Sequence, residues 1–264
     1  RTGDWDTAGK IYQLFDQQEK GNAYIQAALK RVEDKTPATP LLSNEKTGMA
    51  YTLYTMAHLL ADRDAMDSAL IYSRIAEYLD PDYKQGAIML GDIMMGNDHY
   101  DEARAYYGRV QPGDLLYKVA QFKKVPAFEK AGRNDDALKL LNTMQADSKL
   151  AVEALVQTAD IYQRHEQFEQ AFDAYDKALQ LVGNNVNKEH WGIIYARGVA
   201  SERLGNWNAA EKDFIKALEY SPQNPALLNV LGYSWVEKGI NLDRAMDMIK
   251  QAVSMRPQDG YVID

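Results

Sequence analysis

A chain of 264 residues with a net charge of −8 and a pI near 5.1 argues against nucleic-acid binding, which needs a clustered Lys/Arg face; the longest basic runs are Lys30-Arg31 and Lys123-Lys124. The absence of cysteine removes disulfides and thiolate metal sites, and no stretch approaches the roughly 18 apolar residues of a membrane span. Hydrophobic content of 46% supplies core material, and scarce proline with abundant alanine, leucine, glutamine, glutamate and lysine favours helix throughout.

The first expected helix lies in GDWDTAGKIYQLF from Gly3, and no charged and apolar leader precedes it. These residues read as the middle of a repeat, so the protein is expected to extend beyond both ends of this sequence. A second helix is expected near Asn22 to Asp34, followed by KTPATPLLSN, whose Pro37 and Pro40 forbid continued helix and read as an exposed loop. The opening segment then returns as HYDEARAYYGRV from His99, RNDDALKLL from Arg133, QFEQAFDAYDKAL from Gln167 and NWNAAEKDFIKAL from Asn206. A marker alanine common to them stands at Ala8, Ala69, Ala103, Ala137, Ala171, Ala210 and Ala245, with spacings of 61, 34, 34, 34, 39 and 35. A period of 34 is that of a helix, turn, helix unit.

The remaining positions follow from how two helices cross. Twelve residues before the marker the first helix needs a short side chain, and Ala57, Gly91, Val125, Ala159 and Gly198 stand there, with Gly232 displaced by one. Four after it a larger group should fill the gap: Tyr107, Leu141, Tyr175, Phe214 and Ile249, with Ser73 the exception. Seven after it come Ala76, Val110, Met144, Ala178, Ala217 and Ala252. Pro81, Pro222 and Pro257 close second helices. The five extra residues before Ala210 fall in the turn-rich GNNVNKEH, and Pro126, inside a first helix, predicts a kink.

At these residues the sequence resembles the tetratricopeptide repeat family over about residues 45 to 264, plus a half repeat at the start. The resemblance implies an all-α fold, a right-handed superhelical solenoid of antiparallel helix pairs. Residues 1–44 would be a partial repeat, an extra helix and the proline-containing loop; residues 45–264 would be six units and the start of a seventh in one continuous solenoid. From His190 onward the chain looks like the C-terminal part of multi-repeat proteins of Gram-negative bacteria, which implies a periplasmic or cell-envelope location, with the cytoplasm as the alternative.

Enzyme motifs fail on context. Gly232-Tyr233-Ser234-Trp235-Val236 lacks the last glycine of a nucleophile elbow and sits in helix. Gly9-Lys10 is followed by Ile11 where a phosphate loop needs serine or threonine. His58, His99, His165 and His190 fall in different repeats, without metal-ligand spacing, and Gly91 stands where a calcium loop from Asp80 would need glutamate. Asp62, Asp64 and Asp67 read as a turn and the first turn of a helix. No catalytic residue, metal or cofactor is expected.

Function is therefore expected on the inner wall of the solenoid, lined by the first helix of each pair. The family's inward offsets, applied here, give Tyr51, Tyr54, His58 and Asp62; Ile88, Asp92 and Met95; Phe122, Glu129 and Lys130; Glu153, Asp160, Gln163 and Arg164; Tyr195, Glu202 and Arg203; and Asn229, Tyr233 and Glu237. Acids outnumber bases seven to three on this list, and tyrosines supply rigid contact area with a polar tip. The lysines and asparagines with which some family members clamp acidic C-termini are replaced by Tyr54 and His58, Ile88 and Asp92, Phe122 and Pro126. The expected partner is a protein or peptide segment, basic or aromatic and aliphatic, in envelope assembly or secretion. The alternatives are a regulatory or substrate-docking module of a larger enzyme, and a groove for a small ligand or glycan. Arg1 to Phe15 matches only a second helix and Gly260 to Asp264 only the start of a first one, which predicts exposed apolar ends and end-to-end self-association.

Overall fold

The computed structural model describes residues 4–18, 22–37 and 44–256. Among them are fourteen α-helices and no strand: α1 Trp5–Gln18, α2 Ala23–Glu33, α3 Glu45–Ala61, α4 Met66–Leu79, α5 Lys84–Gly96, α6 Tyr100–Tyr107, α7 Tyr117–Lys130, α8 Asn134–Met144, α9 Ala151–Arg164, α10 Phe168–Val182, α11 Trp191–Arg203, α12 Trp207–Tyr220, α13 Pro225–Glu237 and α14 Leu242–Met255. They form two compact units, residues 1–137 and 138–264, with the border inside α8. In the first, α1 packs on α2, α3 on α4, α4 on α5, α5 on α6 and α6 on α7. In the second, each helix from α9 to α14 packs on the next.

Local chemistry sets the helix limits. Asn22, Asn44 and Asn224 cap α2, α3 and α13, each side-chain oxygen accepting from backbone N–H groups of the first turn, and Pro225 starts α13 where no N–H is missed. Between the helices of a pair the chain turns through a residue of positive φ: Asp64, Asp98, Gly132, Glu166, Gly205 and Gly239. The residue after each donates its N–H five residues back, as in Ala65 to Leu60, His99 to Met94 and Gln167 to Tyr162, which satisfies carbonyls that the helix end would orphan. GNNVNKEH forms the two 3₁₀ turns Gly183–Asn185 and Lys188–His190. Helix α7 runs through Pro126, which therefore does not end it. Pro37 lies in exposed, non-helical chain, while Pro40, Pro257 and Gly260 to Asp264 fall outside the described residues.

The core follows the repeat arithmetic. Every marker from Ala69 to Ala245 is fully buried, as are Ala57 and Ala159. A Cβ built on Gly91 would lie 2.3 Å from the Tyr107 ring, on Gly198 2.8 Å from Phe214, and on Gly232 2.8 Å from Ile249. The residue four after the marker thus rests directly on the backbone of the first helix. A small residue at that place is a requirement of close packing, since overfilling a dense contact costs about 1–3 kcal/mol.

Candidate interaction face on the first helices

The expected face is built differently in the two units. In the first, α3 and α5 bound a cleft of about 320 Å³. Its floor is apolar, from Ala61, Ile88, Met89 and Ile93, and its rim carries His58, Asp62 and Asp92. His58 Nδ1 and Asp62 pair at 3.2 Å, one turn apart and both well exposed. Asp92 accepts the Tyr107 hydroxyl at 2.7 Å and the Lys123 ammonium at 2.8 Å, so α7 partly offsets its charge. Lys130 is exposed, and Phe122, Glu129 and Met95 are half-buried.

Tyr54 departs from the expectation. Only 6% exposed, its ring lies where Gly86 of α5 has no side chain; a Cβ there would sit 1.9 Å from it. The reason is steric: a glycine on the next first helix leaves a hollow that the tyrosine fills, with Tyr83 stacked 4.9 Å away. Tyr51 stays at the surface, 39% exposed, edge-on to the same Tyr83. Burial pushes the Tyr54 and Tyr83 hydroxyls above the usual tyrosine range. Ile88 is also buried, as cleft floor.

In the second unit, several expected residues are engaged in holding the repeats together. Asp160 accepts the Tyr175 hydroxyl at 2.5 Å, repeating the Asp92–Tyr107 bond. Glu202 accepts from Ser234 at 2.6 Å, and Arg203 lies 6.0 Å from the Phe168 ring centroid. Tyr195 is half-buried beside Phe214, and Glu153 accepts from Gln157 on its own helix. Gln163, Asn229 and Tyr233 are half-buried, whereas Arg164 and Glu237 are exposed.

One polar centre is absent from the sequence expectation. Arg197 of α11 is bidentate to Asp213 of α12 at 2.9 and 2.7 Å and reaches Asp176 of α10 at 2.7 Å. The Asp213 hydrogen bonds hold its pKa above the usual arginine value against desolvation. Its signal was present: Arg197 stands just before Gly198, where Leu90 and Leu231 occupy the same place, and Asp213 stands where Tyr106 and Ala174 do. A carboxylate at a place that is elsewhere Tyr72, Tyr106, Leu140, Ala174 or Met248, facing an arginine, announces a pair. Among the described residues no three His, Asp or Glu converge as a metal site, and no described helix is long and apolar enough to cross a membrane.

Comparison with known proteins agrees with this architecture. The tetratricopeptide repeat profile matches residues 122–186 and 195–260. The TPR repeat-containing protein PA4667 of Pseudomonas aeruginosa is 26% identical over 174 residues, which is 64% of this chain; the chain spans only 28% of that relative's length. Among solved structures, the APC/C hetero-tetramer Cut9–Hcn1 superposes with a TM-score of 0.56 at 14% identity, over 98% of this chain and 51% of the other. MamA from Desulfovibrio magneticus gives 0.50 at 18% identity, over 69% of this chain and 98% of its own. With the 34-residue register, the paired helices and the profile match together, the chain belongs to the tetratricopeptide repeat family.

Proposed function

We propose that this chain is a protein-interaction scaffold whose α3–α5 cleft receives an extended peptide segment carrying a lysine or arginine between aliphatic residues. The supporting observation is the pairing of an apolar floor (Ala61, Ile88, Met89, Ile93) with carboxylates at its rim (Asp62, Asp92). A long basic side chain suits such a place, burying its stem on the floor while its head reaches a carboxylate. Asp62 is the more available of the two acids, because Asp92 already serves Tyr107 and Lys123. Tyr51, exposed beside Tyr83, supplies an aromatic surface on α3, the helix that Asp62 closes. The second unit offers Arg164, Arg203 and Glu237 at its surface as further contact points. The resemblance of the C-terminal residues to multi-repeat bacterial proteins favours a partner in envelope assembly or secretion.

Screening the chain against an array of random ten-residue peptides tests this reading. Bound peptides should be enriched in Lys or Arg flanked by Leu, Ile, Val or Met, and signal should fall with added salt because the rim charges lie at the surface. Enrichment of acidic peptides, or no selection at all, would remove the proposal.

A further inference from the structure

Helix α7 carries a stripe at every fourth residue: Lys118, Phe122, Pro126 and Lys130. Residues so spaced lie one above the other on a helix, and here Lys118, Pro126 and Lys130 are exposed while Phe122 is half-buried. In the 34-residue register the last of these places is Asp62 on α3, Gly96 on α5 and Lys130 on α7; the one before it is His58, Asp92 and Pro126. Charge therefore changes sign from α3 to α7 along the same level of the first helices. Glu129, the acid of α7, is half-buried one place off the stripe. Among the described residues neither Lys118 nor Lys130 pairs with a carboxylate. Lys123, just off the stripe, instead reaches Asp92 at 2.8 Å and so ties α7 to the rim of the α3–α5 cleft.

Pro126 adds a backbone acceptor to this stripe. In an α-helix the carbonyl of Phe122 takes the N–H of residue 126, and proline has none to give. That carbonyl points along the stripe toward the exposed proline, and Arg104, the long donor packed against this helix, goes to the Ala127 carbonyl at 3.2 Å instead. The way from the cleft to this place is open: a Cβ added to Gly96, midway in the register between Asp62 and Lys130, would meet nothing within 4 Å.

We propose that the peptide received by the α3–α5 cleft runs on across α7, where an acidic side chain pairs with Lys130 and a peptide N–H bonds the Phe122 carbonyl. This rests on the cleft reading and deepens it, because the partner segment then carries both signs of charge: Lys or Arg for Asp62, and Asp or Glu for Lys130. Packed helices stand roughly 10 Å apart and an extended chain covers about 3.3 Å per residue. The acid therefore falls about four to seven residues from the base. A peptide N–H is the donor that suits the carbonyl, since it replaces the bond that the proline removed.

The test uses synthetic peptides with one lysine between two leucines in a serine background, and a glutamate or glutamine placed in turn about four to seven residues to either side. At one of these places glutamate should bind about three- to fivefold more tightly than glutamine at low salt. That gain should vanish in Lys130→Gln and persist in Lys118→Gln, at the far end of the stripe. Pro126→Ala, which restores the missing N–H, should weaken every such peptide about threefold or more with helicity retained. Binding of the lysine peptides with no gain from glutamate at any place, a gain that survives Lys130→Gln, or unchanged affinity in Pro126→Ala would overturn the path across α7 and leave the cleft standing. Failure of the lysine peptides to bind at all would remove the cleft reading and this one with it.

Discussion

The hairpins α5/α6 and α11/α12 have the same register and the same helix crossing, yet they handle polarity in opposite ways. In the first, Gly91 receives the ring of Tyr107, whose hydroxyl passes across the crossing to donate to Asp92, the residue after the glycine. In the second, Gly198 receives Phe214, the residue after the glycine is Val199, and the polar load moves to Arg197 with Asp213 and Asp176. Hairpin α9/α10 sides with the first, through Tyr175 and Asp160. The crossing demands volume, and a ring that brings a hydroxyl into it also needs an acceptor, because a buried polar group without a partner costs about 1–3 kcal/mol.

The largest expected effect removes the volume. Phe214→Ala and Tyr107→Ala should each lose about 3–5 kcal/mol in denaturant unfolding, since both rings are 0–1% exposed. Equal losses would sharpen the comparison, and a small loss at either would break it.

Next comes a transplant of the polar device. Phe214→Tyr should destabilise by about 1–3 kcal/mol, because Val199 offers the new hydroxyl nothing. Adding Val199→Asp should recover much of that loss. In the other direction, Tyr107→Phe should cost only about 1 kcal/mol, since Asp92 keeps Lys123. Failure of the double variant to gain over Phe214→Tyr would show that the acceptor is not what the tyrosine needs.

Alkaline titration separates the same hairpins. Burial first, then the bonds to Asp92 and Asp160, hold the Tyr107 and Tyr175 hydroxyls far above the usual range. The sign follows from a folded-state pKa raised above the unfolded value of about 10: this stabilisation is complete below that pH and is lost as pH rises past it. Tyrosinate absorbance should therefore lag the unfolding-free expectation and appear with loss of helix, and Tyr107→Phe should lessen the alkaline sensitivity. Ionisation of these tyrosines in a chain that stays fully helical would contradict their burial.

The smallest effect is at a turn. Glu166 has φ near 59° where Gly132 and Gly205 occupy the same place. Glu166→Gly should raise stability by about 0.5–1 kcal/mol by relieving the left-handed backbone, measurable as a modest rise in melting temperature.

The fold was legible because a helix crossing restricts residue size at fixed intervals, so Gly91, Gly198, Gly232 and the marker alanines carry the register openly. The interaction face was less so. An inward offset states where a residue sits on its own helix, not what reaches it from the next one. Tyr54 is covered because Gly86, on the following first helix, makes room for it. Asp92 is partly offset because Lys123 comes from the repeat beyond. The second-helix match of α1 was readable from Ala8, but its exposed side emerges only once Gly9 is seen against Val32.

The most direct test of the functional account is calorimetric titration of an array-selected basic peptide into the parent and into Asp62→Asn. Asp62 is exposed at the end of α3 and holds nothing in the core. The variant should keep its melting temperature and bind roughly tenfold more weakly at low salt, with the difference shrinking as salt is added. Identical affinities for parent and variant would contradict the assignment of the α3–α5 cleft.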